Sequence, residues 1–396
     1  MCLVRFYSFQ GAFMYLFITV KDITERGGGE RVCINLVNAL VEESLKTDSP
    51  LSNLHITLIS FYRTRTNPFY PLMQQAQSRV SIVYLSNTQP SRNPLKKLCI
   101  KTLHRFYLSY RIHKILIKAA EDSKNEEIKL LANDGLFVPI FKVKGIDYLR
   151  LWHMRAPKKA RISFKLFDSM IILSPKELLI WKKYHHDIRI IPNFLSSLPS
   201  SNILLQSHSD THKRRILSVG SMGKGDIKGF FRLLDIAKII ADSPIYKQHV
   251  CEDWEWLIIG SGVLQEALQK KIHALDLGDF VRIEDFREDI ERAYVTSDIF
   301  CLTSYSEGFA MVLLESNSWG LPAVAFDIAS GPSDIIKHEK SGFLIPDNDL
   351  QSFAGKVLQL MVNKELLESM GQCARDYVRK KFSQEAIIPL WREVLR

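Results

Sequence analysis

TSYSEGFAMVLLESNSWGLPAVAFDIASG, Thr303 to Gly331, carries the densest pattern in the chain. It reads as a strand end, a glycine-containing turn, an apolar helix, a second strand and a glycine exit. Two carboxylates, Glu307 and Glu315, stand eight positions apart, and the run from Phe309 to Leu314 between them has no charge. A helix that begins just after Gly308 would point the unpaired amides of its first turn, Phe309, Ala310, Met311 and Val312, back at the turn. With the positive end of the helix dipole, they would form a site for a phosphate or diphosphate. Glu307, just ahead of the helix, is placed to accept hydrogen bonds from hydroxyl groups. Glu315, inside an otherwise apolar helix, needs a polar partner wherever it is buried. An amphipathic helix with two incidental glutamates would also read this way, so the surrounding chain has to decide.

On either side of this stretch the second half of the chain alternates strands and helices. Arg215 to Gly220, Trp254 to Gly260, Phe280 to Phe286, Ile299 to Ser304, Ala323 to Phe326 and Gly342 to Ile345 read as strands. Helical patterns separate most of them, which predicts a parallel sheet. Gly260-Ser261-Gly262 begins like a dinucleotide fingerprint, but Gln265 stands where the third glycine belongs. Asp347-Asn348-Asp349 has the D-x-D form of a metal motif. It follows Pro346 in a surface-type loop and reads as a turn.

The first half repeats the alternation. Tyr15 to Val20 is a strand, Gly27, Gly28 and Gly29 follow, and Glu30 to Glu43 has helical periodicity. Glycines between strand and helix let a backbone approach a phosphate closely, and a plain loop would look the same. Leu54 to Tyr62, Arg79 to Leu85, Ile128 to Ala132, Tyr148 to Trp152, Phe167 to Ser174 and Ile188 to Ile191 complete the strands. His153 falls at the carboxyl end of one of them, where α/β folds bind ligands. Leu95 to Ala120 reads as one long helix or two shorter ones, and its charges are almost all positive. Lys97, Lys101 and Arg105 recur every four residues as one ridge, with Phe106, Tyr107 and Tyr110 close by. A solvated helix face and an interfacial helix on anionic lipid both fit. No nucleic-acid motif accompanies the charge, and nucleic acid is not expected as a partner.

At 396 residues the chain is too long for one ordinary core, and two domains are expected. The net charge of +10 is unevenly spread: residues 1–192 net +15 and the remainder nets −5. The first half therefore faces something anionic. The six cysteines are scattered without a C-x-x-C and read as reduced core thiols. His208 and His212 are four apart, but with no carboxylate beside them they read as solvated linker, and no metal site is expected. No apolar run reaches the length of a membrane span. The apolar opening is broken by Arg5, Ser8, Gln10 and Gly11 and does not read as a signal peptide; Met14 reads as an alternative start, with residues 1–13 an extra arm.

Glu307 to Glu315, then Gly320-Leu321-Pro322, then Gly331-Pro332-Ser333-Asp334, resemble the E-x7-E signature of the retaining glycosyltransferases of family 4, glycosyl transferases group 1. Ala310 replaces a frequent proline. The resemblance extends over most of the chain, through Gly28-Gly29-Glu30-Arg31-Val32, Ile191-Pro192-Asn193 and Lys228-Gly229. It implies an α/β chain of the GT-B class, two Rossmann-like domains with parallel sheets facing a central cleft. The boundaries would be 1–193 for the acceptor-side domain, 194–213 for a linker, 214–375 for the nucleotide-sugar domain and 376–396 for a helix crossing back.

The resemblance also implies roles. Glu307 would hold sugar hydroxyls, and Lys228 with the amides after Gly308 would stabilise the leaving diphosphate. Glu315 would bind the ribose, the backbone near Phe286 and Arg287 would meet the base, and His153 would lie near donor sugar and acceptor. Relatives commonly place an arginine after the glycine that ends the first strand of this domain. Here Ser221 follows Gly220, and Lys224 could reach the phosphate only as a point charge. No cofactor or metal is implied. The donor would be a nucleotide sugar, UDP-linked by analogy with the Gly331-Pro332-Ser333-Asp334 turn. The acceptor would be a lipid-linked saccharide of surface polysaccharide or O-antigen assembly, on the inner face of the cytoplasmic membrane. A sugar-nucleotide epimerase, or a weakly active partner that only binds nucleotide sugar, would share the fold.

Overall fold

The computed structural model describes residues 13–87, 94–123, 126–199, 213–249 and 253–396, with side chains in the 94–122 helix described from Leu103 onward. The expected arm at 1–13, most of the expected linker, His208, His212, Cys2, Cys251 and the side chain of Cys99 lie outside the described residues. Two compact units divide the chain, residues 1–192 with 387–396, and residues 193–386.

The first unit is a seven-stranded parallel sheet: β1 Met14–Val20, β2 Leu54–Ser60, β3 Val80–Tyr84, β4 Glu127–Ala132, β5 Ile146–Trp152, β6 Ser169–Ile172 and β7 Ile188–Ile190. The central strand MYLFITV is buried almost throughout, as a strand covered on both faces must be. Helix Gly28–Ser44 connects β1 to β2, and a single 29-residue helix, Pro94–Asp122, leads from β3 to β4. The order is β3-β2-β1-β4-β5-β6-β7. The winding reverses at β1 and β4, and in such sheets ligands bind beyond the carboxyl ends of the strands at that point. The loops there carry Gly27 to Gly29 after β1 and Asn133 after β4.

The second unit repeats the plan with six parallel strands: β8 Arg214–Val219, β9 Trp254–Ile259, β10 Val281–Glu284, β11 Ile299–Leu302, β12 Ala323–Asp327 and β13 Gly342–Pro346. Their order is β10-β9-β8-β11-β12-β13, with the reversal at β8 and β11. The loop after β8 holds Lys228 and the loop after β11 holds Glu307, so the topology alone brings these two segments to one place. The core beneath is aliphatic and aromatic, with Trp254, Trp256, Phe326 and Phe353 fully buried.

The expected helical tail is two helices, Lys364–Phe382 and Gln384–Leu395, separated by Ser383. The last ten residues belong to the first unit. There Lys129, a buried lysine on β4, donates to the carbonyls of Val394 at 3.4 Å and Arg396 at 2.9 Å, which satisfies the helix end. Cys33 and Cys301 are buried, as core thiols should be. Cys373 is exposed, because its position on the Lys364–Phe382 helix falls on the solvent face.

Candidate active site

In the second unit the Glu307 turn is held from three sides. Lys228 Nζ lies 2.7 Å from Glu307 Oε1, and Ser304 Oγ donates to the same oxygen at 2.6 Å. Ser330 Oγ, on the loop after β12, donates to the Glu307 carbonyl at 2.9 Å. Gly331 follows at φ +98°, and a Cβ there would stand 3.2 Å from Glu307 Cβ. The glycine of the GP turn is therefore needed twice, for its backbone angle and for the close approach. Among the described residues both donors to the Glu307 carboxylate meet Oε1, and none reaches Oε2.

The helix expected after Gly308 begins three residues later, as Met311–Ser318. Gly308, Phe309 and Ala310 are an irregular lead-in, and the Ala310 carbonyl takes the first helical bonds from Leu313 and Leu314. Two buried side chains explain the delay. Phe309 is sunk against Phe382 at 5.7 Å between ring centroids, and Ala310 is wholly buried. Phe309 and Ala310 thus offer a ligand backbone at most. The first amides of the helix proper are those of Met311 and Val312. No side chain caps this helix. The neighbouring helix, Phe230–Asp242, differs: Asp226 accepts from the amides of Phe230 at 2.8 Å and Phe231 at 3.0 Å, so its amino end is already neutralised.

Glu315 is buried and accepts from the Tyr294 hydroxyl at 2.8 Å, the polar partner its burial requires. Ser221 and Lys224 are both exposed at the start of the loop after β8. That loop is pinned by glycines: a Cβ on Gly260 would meet the Gly220 carbonyl at 1.9 Å, and one on Gly262 the Met222 carbonyl at 2.3 Å. Gly260 and Gly262 thus serve contact between two loops, and their likeness to a dinucleotide fingerprint is incidental. Near the expected base site, the Phe286 amide donates to Ser261 Oγ at 3.0 Å. The Arg287 guanidinium pairs with Glu284.

The first unit assembles a second cluster. Gly28 and Gly29 open the helix Gly28–Ser44, preceded by Gly27 in extended conformation, and a Cβ on Gly28 or Gly29 would meet open space. The Gly29 carbonyl accepts from Asn133 Nδ2 at 3.4 Å, and Asn133 Oδ1 lies 2.7 Å from His153 Nε2. With the amide nitrogen turned to a carbonyl, its oxygen faces the imidazole, so Nε2 carries the proton and Nδ1 a lone pair. Burial, then the nearby Arg150 charge, lowers the His153 pKa to about 4. The ring is therefore neutral near pH 7.

Of the basic ridge expected on the Pro94–Asp122 helix, the side chains of Lys97 and Lys101 lie outside the described residues. Arg105 is half-buried with its Nε sealed from solvent, so it is not the fully solvated ridge residue that periodicity alone implies. Aromatic residues occupy the exposed surface instead: Phe106, Tyr107 and Tyr110 are each nearly half exposed, with Phe141 against two of them. Arg111 and Lys114 sit over the Tyr107 and Tyr110 rings. Among the described residues no helix is long and apolar enough to cross a membrane, and no cluster of histidine, cysteine and acidic residues has the form of a metal site.

Sequence reasoning missed Asn133, Ser304 and Arg232. Arg232 alone left a signal, a charge set among Phe230, Phe231, Leu233 and Leu234.

The family model for glycosyl transferases group 1 matches residues 202–377. The chain is 26% identical to an uncharacterised glycosyltransferase of Haemophilus influenzae, covering 95% of this chain and 98% of that one. It is 25% identical to the amylovoran biosynthesis glycosyltransferase AmsD of Erwinia amylovora, over 96% and 99%. It is 22% identical, over 91% and 93%, to a Campylobacter jejuni α-1,4-N-acetyl-D-galactosaminyltransferase named for a GalNAc-GalNAc-diNAcBac-PP-undecaprenol acceptor. Among solved structures it is similar to Staphylococcus aureus TarM, crystallised with UDP, with a TM-score of 0.69 at 14% identity over 96% of this chain and 99% of that one. The fold is that of the GT-B glycosyltransferases.

Proposed function

From its match to the family model of glycosyl transferases group 1 and its similarity to polysaccharide glycosyltransferases, we propose that this enzyme moves a hexose or N-acetylhexosamine from a UDP-sugar to a lipid-linked saccharide during assembly of a bacterial surface polysaccharide. The observation that carries the reading is the Lys228–Glu307 pair at the reversal of the second sheet, beside an uncapped helix start. Glu307 Oε2 would accept from sugar hydroxyls. Lys228 and the amides of Met311 and Val312 would take the charge that grows on the diphosphate as its bond to the sugar breaks. The acceptor oxygen would bond to the anomeric carbon with retention, as the family resemblance implies.

In this reading transfer takes no metal ion. The D-x-D residues are otherwise engaged: Asp347 pairs with Arg232 at 2.7 Å, and Asp349 caps the next helix through the Ser352 amide at 3.0 Å. His153, neutral and oriented by Asn133, would accept a hydroxyl of donor or acceptor. The basic, aromatic face of the Pro94–Asp122 helix would rest on anionic lipid at the inner face of the cytoplasmic membrane, where a lipid-linked acceptor is reached.

Incubation of the protein with a panel of UDP-hexoses and UDP-N-acetylhexosamines plus a membrane extract tests the reading. UDP release that depends on the extract, with label moving to a lipid-extractable product, is the expected result. Release of free sugar without the extract would point to donor hydrolysis, and conversion of the donor to another sugar nucleotide to an epimerase.

A further inference from the structure

Arg232 lies in the apolar helix Phe230–Asp242 and is 3% exposed. Its guanidinium is engaged all round. Nε donates to the Thr303 carbonyl and Nη2 to the Ser304 carbonyl, both at 2.6 Å, and Nη1 meets Asp347 Oδ1 at 2.7 Å. The Tyr305 and Phe326 rings lie 3.8 and 4.1 Å from the guanidinium carbon. A buried cation is costly unless it is paired and its donors are met, and here two of those donors go to successive carbonyls at the exit of β11.

Those two residues carry the surroundings of Glu307. Ser304 Oγ donates to Glu307 Oε1, and Thr303 Oγ1 donates to the Lys228 carbonyl at 3.1 Å. Both partners of Oε1 are therefore tied to the segment that Arg232 holds, Ser304 directly and Lys228 through Thr303. We propose that Arg232, anchored by Asp347, is a positioning residue that sets the Lys228–Glu307 pair. This rests on the reading of that pair as the groups that bind sugar and diphosphate. Asp347 thereby gains a role in the unit's binding chemistry without binding a ligand.

The test reads Lys228 directly and needs no substrate. Competitive acetylation of the full chain with trace acetic anhydride, followed by mass spectrometry, gives the reactivity of Lys228 relative to exposed Lys380. An amine held against a carboxylate on a partly buried loop is less accessible to the reagent and reacts slowly. Glu307→Gln sets the reactivity of the released amine. Arg232→Met and Asp347→Ala are each expected to raise Lys228 labelling at least threefold over wild type, toward the Glu307→Gln level. Asp347 is half exposed, so its variant stays interpretable if Arg232→Met fails to fold. Wild-type labelling of Lys228 in folded Asp347→Ala overturns the proposal.

Turnover adds a second arm. With the UDP-sugar that the wild type uses, Arg232→Met should lower kcat at least tenfold while UDP affinity by calorimetry stays within threefold. A residue that only fills the core would lower Tm and leave kcat and labelling alone, and that result too overturns the proposal. Should the wild type turn over none of the UDP-sugars, the proposed function fails, while the labelling still decides what Arg232 holds.

Discussion

Lys228 Nζ and Glu307 Oε1 stand 2.7 Å apart although 79 positions separate them in the chain. Each is on a loop at the point where the second sheet reverses, and each is only partly exposed, the lysine at 27% and the glutamate at 9% of the side chain. The contact neutralises two groups that would otherwise be left half-desolvated and charged. A diphosphate arriving beside Lys228 would share its ammonium with Glu307, whose second oxygen stays available to the sugar.

Glu307→Ala should reduce sugar transfer by two to three orders of magnitude, the usual scale of about 2.7–4 kcal/mol for a group that acts in the transition state. UDP alone should bind as well as to wild type or better, because Lys228 loses its internal partner. Turnover assays and calorimetry on the same preparation check both halves. Transfer within twofold of wild type would remove Glu307 from the mechanism.

Ser221→Arg should tighten UDP binding by a few fold without loss of turnover. The position is exposed, so the longer side chain meets no steric barrier, and a planar fork grips a diphosphate better than a hydroxyl. Weaker UDP binding in calorimetry would show that Lys224, two residues before the strained Asp226 at φ +46°, already supplies the diphosphate contact.

Gly229→Ala should cost on the order of 3 kcal/mol of stability. Gly229 has φ +70°, and a Cβ there would meet the Thr303 carbonyl at 1.9 Å and Arg232 Nε at 2.9 Å. Neither atom can retreat, since the carbonyl and the guanidinium bond each other. Chemical denaturation should show the loss. Gly28→Ala, with open space at its Cβ, should lose far less.

The sheets were legible because buried parallel strands write themselves as short apolar runs, and every run read as a strand from Tyr15 to Ile345 contains one. The meeting of Lys228 with Glu307 followed from a motif resemblance and is explained by strand order, which no local pattern reveals. The helix start after Gly308 was misplaced, because Phe309 and Ala310 are apolar for tertiary reasons and not for helical ones. Asn133 and Arg232 act through contacts 20 and 115 positions away, distances at which periodicity carries no information, and Ser304 reaches Glu307 three positions on across an irregular turn, where no helical period applies. The apparent ridge at Lys97, Lys101 and Arg105 illustrates the converse: a spacing of four puts residues on one helix face but does not say whether that face is wet.

His153 should stay neutral down to about pH 4 in the folded protein. Its pKa is depressed below the ordinary value near 6.5, so the unfolded chain binds the proton more readily. The stability it contributes is therefore whole above about pH 6.5 and is lost as pH falls toward 4. An imidazole titration by NMR checks the neutral form. Asn133→Asp puts a carboxylate beside Nε2 and should raise the pKa by at least one unit; an unchanged titration would show that the Asn133 contact does not control the ring.

The charge asymmetry predicts binding to anionic membranes. The net +15 of residues 1–192 coincides with an exposed face bearing Phe106, Tyr107, Tyr110, Arg111 and Lys114. Basic residues near an anionic surface contribute roughly 1 kcal/mol each, within a Debye length of about 8 Å at physiological salt. Aromatic rings beside them add interfacial contact that salt does not screen. The protein should sediment with phosphatidylglycerol vesicles at low salt and only weakly with neutral ones. High salt should remove most of the binding but leave a residue that depends on the rings. Changing Lys97, Lys101 and Arg105 to Glu together should weaken the salt-sensitive part, and changing Phe106 and Tyr110 to Ala the salt-resistant part. UDP binding should survive both sets, since the Lys228–Glu307 pair lies in the other unit. Equal sedimentation with neutral and anionic vesicles would assign the binding to the rings alone and leave the basic first half without its membrane role.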